Sequence, residues 1–547
     1  MSHPGASSFS FTLSSSPLSS SSRFGARVGT ILYRRPNFNE DIEVHTPGLL
    51  TATSRGVVPH LSRDHHRSTA AVRWVNVPFE TFLEHNPPVP TLQPGANPLH
   101  KFLGYTPGKQ IMSMSARDLY DGREMPTNGQ NHVAVYSLRG VRKLSPTDWW
   151  KYVNTCQPDV VFALSDTPFT SPPHSQKRLT KSIERSAAWL ATLLRPTPPS
   201  NPSIPPIFLH LSGLTNAAAR RAFSSSLLEP LYGPELEAIA PLQTLDEGVV
   251  GYSVDLVPLR QSLEALERKN PHPGSETDLN PVLPTHTEQI VDLVQASLEK
   301  LPENKPRLVN STESPHEILR YIRDVGIDLF DAHWAQRAAD IGVALDFEFP
   351  VRQAGKRDIG HNLYDSQYTF DFGSFADAFR GAAAESSNDK PVCPCLACSP
   401  LSPPSRLYHG YDTPDVSGEA PRTPLVPQPH FTRAYVHHLL HTHEMSAHTL
   451  LTMHNLTILD LFFAGIRDVL SSSPATFDEE VEKFVQTYRD VVSSDGIPGV
   501  FEAAKESWKQ VEMARGKGRL AREKEKQELD GTLGTTVDVQ IEGGPLE

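Results

Sequence analysis

From about Arg23 to Leu470, short β-branched or apolar runs alternate with segments whose apolar residues recur at three- and four-residue spacing. No other feature narrows the possible folds as far. Residues 133–136, 160–163, 207–211, 248–252, 306–309 and 327–330 read as strands. Residues 186–194 place Ala187, Ala188, Leu190, Ala191 and Leu194 on one helical stripe, and 259–267, 288–301 and 315–325 repeat that period. A helix that follows a strand returns the chain for a parallel pairing, so this alternation predicts an α/β fold with a parallel sheet. The number of units fits a (β/α)8 barrel of the TIM type better than a short open sheet. Beyond Ile466, residues 478–494 and 500–515 are two further helical patterns.

Three stretches interrupt the alternation, and composition explains them. Proline, at 49 of 547 residues, is about twice its usual share. Repeated prolines in 272–287, a polar run in 382–390 and a proline- and serine-rich run in 399–430 predict surface insertions. Residues 1–22 are dominated by serine and hold no apolar core of a secretory signal. Arg23, Arg27, Arg34 and Arg35 follow with no acid before Glu40, a weak likeness to a mitochondrial transit peptide. The preferred reading of 1–22 is a disordered lead. In 516–527 acids offset bases, so 516–547 is expected to be a charged, disordered tail rather than an RNA-binding arm. The net charge of −12 excludes a polyanion binder of the polybasic type, while a local basic groove stays open. No apolar run is read as approaching the roughly 18–20 residues of a membrane span, so an integral membrane protein is not expected.

The chemistry is concentrated in one place. Of four cysteines, Cys393, Cys395 and Cys398 fall within six positions as CxCxxC, and Cys156 lies far upstream. A disulfide framework would spread its cysteines along the chain, so this clustering suggests a reducing compartment and a metal. Three thiolates at this spacing can bend round one ion, and their softness favours zinc or an iron–sulfur cluster. A fourth ligand is needed. His437, His438, His441, His443, His448 and His454 follow, and Cys3His is a standard closed zinc set, but spacing alone leaves the choice among them open. His443-Glu444 does not make HExxH, because the next histidine, His448, stands five residues on rather than four.

With CxCxxC ahead of them, Thr432-Arg-Ala-Tyr-Val-His-His-Leu-Leu440 and Leu451-Thr-Met-His454-Asn-Leu resemble the zinc module of the tRNA-guanine transglycosylases. Segments 305–309, 326–331, 162–168 and 100–104 resemble that family's barrel segments in the same order. The resemblance implies a TIM-type barrel over 23–470, with a zinc module at about 391–470, and 471–515 as appended helices. It implies one zinc per subunit, held by Cys393, Cys395, Cys398 and His454. Base exchange at a ribose carbon takes a nucleophilic carboxylate and a second carboxylate as acid and base. By resemblance Asp331 stands where the nucleophile would, but Ala332-His-Trp-Ala-Gln-Arg337 replaces the family's Pro-Thr-Arg loop. No Asp-Ser-Gly-Gly segment supplies the second carboxylate; 110–120 reads Gln-Ile-Met-Ser-Met-Ser-Ala-Arg-Asp-Leu-Tyr. The resemblance is therefore to the family's non-catalytic members, and no catalytic residue is assigned. It implies a heterodimer with a catalytic queuine tRNA-ribosyltransferase subunit, tRNA bound through that complex, and exchange of guanine for queuine at the wobble position of tRNAs for Asp, Asn, His and Tyr. It also implies a cytoplasmic protein, or one peripheral at the mitochondrial outer membrane. The competing readings are a self-sufficient divergent transglycosylase and a structural adaptor with no RNA role.

Overall fold

The computed structural model describes residues 8–14, 23–35, 38, 41–170, 172–196, 205–269, 286–352, 355–377, 393–402, 426–427, 430–490 and 499–513. Eight parallel strands close into a barrel: Gly48–Ala52 (β1), Trp74–Pro78 (β2), Ile111–Ser115 (β3), Val160–Phe162 (β4), Ile207–His210 (β5), Gly251–Asp255 (β6), Arg307–Asn310 (β7) and Leu329–Asp331 (β8). Leu329 opposite Gly48 and Asp331 opposite Leu50 join the last strand to the first. The expected TIM-type architecture is what the chain forms.

The sequence reading found β4 to β8 and overlooked β1 to β3. Those three strands are buried on both faces and carry Thr51, Asn76, Ser113 and Ser115, so neither alternation nor β-branching marks them. The polar groups of β2 and β3 satisfy one another inside the barrel: the Asn76 amide donates to Ser115 Oγ at 3.0 Å, and Ser113 Oγ donates to Asn76 Oδ1 at 3.1 Å. Residues 133–136 are a strand, but not of the barrel. Val133–Ser137 pairs antiparallel with Gly140–Leu144 in a hairpin between β3 and helix Pro146–Cys156.

Helix boundaries follow local chemistry. Ser314 caps the helix Pro315–Val325 through the Glu317 amide, proline occupies the first turn, and Gly326 ends it at φ 74°. Residues 186–194 belong to a longer helix, Gln176–Leu193, which Ser175 caps through the Arg178 amide. The pattern at 478–494 stops early: the helix is Phe477–Thr487, and Tyr488 turns extended to bridge Arg357.

The lead 1–22 departs from expectation within its described part. Ser8–Leu13 is a strand paired with Gly29–Arg34, which in turn pairs with Ile42–Thr46. This sheet closes the N-terminal end of the barrel, where Ile31, Tyr33, Ile42 and Val44 meet Trp74, Phe162 and Phe208. Arg27 pairs with Asp328 and Arg35 with Asp159, each acid standing just ahead of a barrel strand. Two of the arginines that gave the lead its transit-peptide look thus hold the sheet to the barrel. The insertions at 272–285 and 382–390, most of 399–430 and the tail 516–547 lie outside the described residues.

One expectation is corrected by length. Helix Met445–Ser472 runs 28 residues with a mean hydropathy of 1.4 over its most apolar window, long and apolar enough to cross a membrane. Its apolar residues are instead buried in the protein: Leu456, Leu459, Phe463 and Ile466 are inaccessible, and Phe463 stacks on Phe330 of β8. Residues 471–490 and 499–513 join the same core, with Phe484 against Phe347, Phe349 and Phe462, and Phe501 against Trp334.

Candidate metal centre and barrel mouth

Cys393, Cys395 and Cys398 lie on a tight turn. The Ser399 amide donates to Cys395 O at 2.8 Å, and the Cys398 amide donates to Cys395 Sγ at 3.2 Å, so the backbone folds round the sulfurs. The fourth group arrives on the long helix. His454 Nδ1 stands 3.6, 3.4 and 3.7 Å from the sulfurs of Cys393, Cys395 and Cys398. Four donors round one zinc, at about 2.3 Å for sulfur and 2.0–2.1 Å for nitrogen in a tetrahedron, would put nitrogen and sulfur about 3.6 Å apart. The donor set and its spacing fit a tetrahedral cation, and all four side chains are buried.

Neighbouring contacts orient the imidazole. His454 Nε2 donates to Leu345 O at 2.8 Å, which fixes the tautomer and leaves Nδ1 as the free donor pair. Asn455, part of the His-Asn pair but given no role by the sequence, accepts from the Leu345 amide at 2.9 Å and donates to Ala335 O and Val343 O. It ties the helix to the segment after β8. Burial, then the adjoining thiols, push the Cys395 thiol well above its ordinary range, while hydrogen bonds from Cys393 and Cys395 hold the Cys398 thiol well below its own; a bound cation would let the sulfurs stand together as thiolates.

The other five histidines of the sequence reading have different surroundings. His437 and His448 bond to the carbonyls of Leu363 and Ala339, His441 to that of its own helix, His443 faces Glu512, and His438 joins no metal-type cluster among the described residues. A nearby trio, Asp346, His361 and Asp377, is an ion-pair network instead of a metal site. The Arg433 guanidinium sits among them, 2.8 Å from Asp377 and 3.1 Å from His361 Nε2, and bonds Asp371 at 3.0 Å. It fastens helix Arg433–His441 to the loop before the cysteines.

At the C-terminal end of the barrel, Asp331 is fully buried. Its carboxylate accepts from the Ser311 amide and, at 2.8 Å, from the His333 amide, while burial pushes its pKa up to about 7. The rings of Tyr120 and His333 stack beside it at 3.9 Å. Ser115 ends β3 and Ala116 and Arg117 follow it; Arg117 lies over the Phe169 ring at 4.2 Å and donates to Ala134 O. What remains of the mouth is a cavity of about 40 Å³ lined by Ser115, Arg117, Ser165, His210 and Asp255.

A model of the queuine tRNA-ribosyltransferase family matches residues 22–233, 261–420 and 423–490, which takes in every barrel strand but β6, the cysteine turn and His454. The chain belongs to the queuine tRNA-ribosyltransferase family. This is the tRNA-guanine transglycosylase family that the zinc-module resemblance implied. Among relatives, the family member named queuine tRNA-ribosyltransferase accessory subunit 2 in Schizosaccharomyces pombe is 27% identical over 478 residues, covering 86% of this chain and 82% of that one. Proteins of the same name in Ixodes scapularis and Gallus gallus are each 25% identical, over 81% and 78% of this chain and 93% and 87% of theirs.

Proposed function

We propose that this chain is the non-catalytic subunit of a heterodimeric queuine tRNA-ribosyltransferase, which exchanges guanine for queuine at the wobble position of tRNAs for Asp, Asn, His and Tyr. The observation that carries the reading is the barrel mouth. The carboxylate in the nucleophile's place is buried and held by two backbone amides, and Arg117, over the Phe169 ring, lines the small cavity left at the mouth. A glycosyl exchange also needs a second carboxylate to protonate the departing base, a contribution of roughly 10²–10⁴ in rate. The names of the relatives support the accessory role.

The cation is zinc, one per subunit, held by Cys393, Cys395, Cys398 and His454. When bound it supplies structure: it ties the cysteine turn to the helix behind the barrel. The partner docks on the zinc-bearing side, where Arg433 anchors the helix that presents Tyr435. Phe370, Phe372 and Tyr435 are exposed there, and Phe431 stacks on Tyr435 at 5.8 Å. The complex works in the cytoplasm.

Labelled-base incorporation into tRNA is the test, with this chain alone, its catalytic homologue alone and the mixture. Turnover is expected only where the homologue is present and is greatest in the mixture, which should elute as a one-to-one complex. Incorporation by this chain alone would overturn the reading. Asp331→Asn should leave heterodimer turnover within about twofold, against the roughly 10⁴-fold or greater loss on removing a true nucleophile. Because burial raises the Asp331 pKa, the folded state binds a proton that the unfolded state has released between about pH 4 and 7. That contribution to stability is present below the unfolded pKa and is lost as pH rises through 7. A melting profile in which Asp331→Asn shows the same decline as wild type over this window would contradict the assignment.

A further inference from the structure

The chain as a whole carries −12, yet residues 123–195 hold ten lysines and arginines against five acids. Two of those acids are already used: buried Asp159 pairs with Arg35, and buried Asp166 with Arg178 and Arg185. Arg139, Arg142, Lys143, Lys177 and Lys181 are exposed and have no ion-pair partner among the described residues. The fold brings the helix and hairpin cations together beside His132, which feels both Lys143 and Arg185, while Arg142, next to Lys143 in the strand, projects from the opposite face of the hairpin. Lys177, Lys181 and Arg185 recur every four residues, one stripe of helix Gln176–Leu193, where Glu184 is the exposed acid.

That stripe runs into the base of the hairpin. Arg185 donates to Gln130 Oε1 at 3.2 Å and to Asn128 O at 3.0 Å, and Trp189 Nε1 donates to Gln130 O at 3.2 Å. Lys143 continues the line from the far strand, opposite Ala134, and Arg142 and Arg139 lead to the hairpin tip. His132 marks the junction: burial first, then Lys143 and Arg185 on either side, hold its pKa below the ordinary value. At 1.5 Å per helical and about 3.3 Å per strand residue, the track is about 25 Å long. The hairpin follows the C-terminal end of β3 and the helix begins beyond that of β4, so the track starts beside the mouth and runs down the outer face of the barrel.

We propose that the hairpin 133–144 and the lysine stripe of helix Gln176–Leu193 form a docking surface for the phosphate backbone of RNA. The choice of tRNA as that RNA rests on the function proposed above. Exposed cations without ion-pair partners are free to meet an external anion, and a row of them matches evenly spaced phosphates. At 3.4 Å of axial rise per phosphate in one duplex strand, about 25 Å spans about seven phosphates. Contacts of this kind position the nucleic acid without reading its bases.

The test uses the full chain and an unmodified tRNA transcript, with binding followed by fluorescence anisotropy from 50 to 200 mM salt. Three variants are compared with wild type: Arg139→Ala/Arg142→Ala/Lys143→Ala, Lys177→Ala/Lys181→Ala, and the control Lys505→Ala/Lys509→Ala on the helical segment 500–513. The triple variant should lose about tenfold or more in affinity, and the slope of log K against log salt should fall by about 2. The double variant should move the same way, and the control should not. Unchanged slopes in both rim variants, equal losses in the control, or no tRNA binding by wild type would overturn the surface. So would binding to phosphatidylserine vesicles in place of tRNA. Co-elution with the catalytic homologue separates this outcome from the heterodimer. Rim variants that co-elute normally and bind tRNA unchanged would sink the surface alone. A wild type that never co-elutes, while its rim variants still lose slope, would sink the heterodimer alone.

Discussion

Cys395→Ala is expected to yield protein with less than one zinc per chain and a stability loss above about 4 kcal/mol, the range reserved for lost metals and broken buried networks. The reason is in the packing. Cys393, Cys395, Cys398 and His454 are all buried, and the three sulfurs crowd one imidazole nitrogen at 3.4–3.7 Å. With one thiolate gone, the remaining two and the imidazole hold the ion less tightly, and two buried sulfurs lose their counter-charge. The Cys398 amide also loses the sulfur that accepts its hydrogen bond. The turn would then come away from the helix, and with it the exposed Phe431–Tyr435 face proposed for the partner. Cys156→Ala is the control. That side chain is equally buried but far from the cluster, and its pKa, raised to about 12 by burial, marks an inert thiol. Its variant should keep full zinc and lose only the small cost of a missing sulfur. Elemental analysis and thermal melts read both. Full zinc and an unmoved melt in Cys395→Ala would show that the quartet does not hold the metal.

The metal quartet was legible because ligand chemistry is local on one side: three cysteines in six residues admit few readings. The histidine was not legible from spacing. Six candidates follow, and what singles out His454 is helix Met445–Ser472, which passes behind the cysteine turn while Leu345 O fixes the ring. The later barrel strands could be read because apolar β-branched runs such as 306–309 stand between amphipathic helices. β1 to β3 could not, since Asn76, Ser113 and Ser115 satisfy one another across the barrel interior, which is a tertiary fact. The same holds for the lead. Ser8–Leu13 reads as a serine-rich tract until Gly29–Arg34 is placed beside it, and Phe9 meets Phe208 at 5.9 Å. The long apolar helix escaped notice for the opposite reason. His448, His454, Asp460 and Arg467 break its run in the sequence, while in the fold its apolar side chains gather against the barrel.

Gly465→Ala should be the second severe substitution, and nothing in the sequence announces it. Gly465 lies inside Met445–Ser472, where alanine would ordinarily stabilise a helix by up to about 1 kcal/mol. Here a Cβ would sit 1.7 Å from Phe349 O and 2.8 Å from its carbonyl carbon, where about 3.3 Å or more is needed. Phe349 cannot yield, because its ring packs against Phe462, Phe477 and Phe484. The helix must therefore shift, at a cost of about 3 kcal/mol or more for overpacking a filled site. Its other end carries His454, eleven residues and about 16 Å away along the same rigid rod. A displacement that reaches the imidazole takes it outside the roughly 0.2 Å tolerance of a metal–ligand distance. Gly465→Ala is thus expected to melt earlier and to release zinc faster to a chelator, though no ligand has been changed. Ala464→Gly, one residue back on the same helix, should cost about 1 kcal/mol of helix propensity and leave zinc release at the wild-type rate. A Gly465→Ala protein with wild-type melting and zinc release would mean that the crossing at Phe349 is looser than the packing here requires.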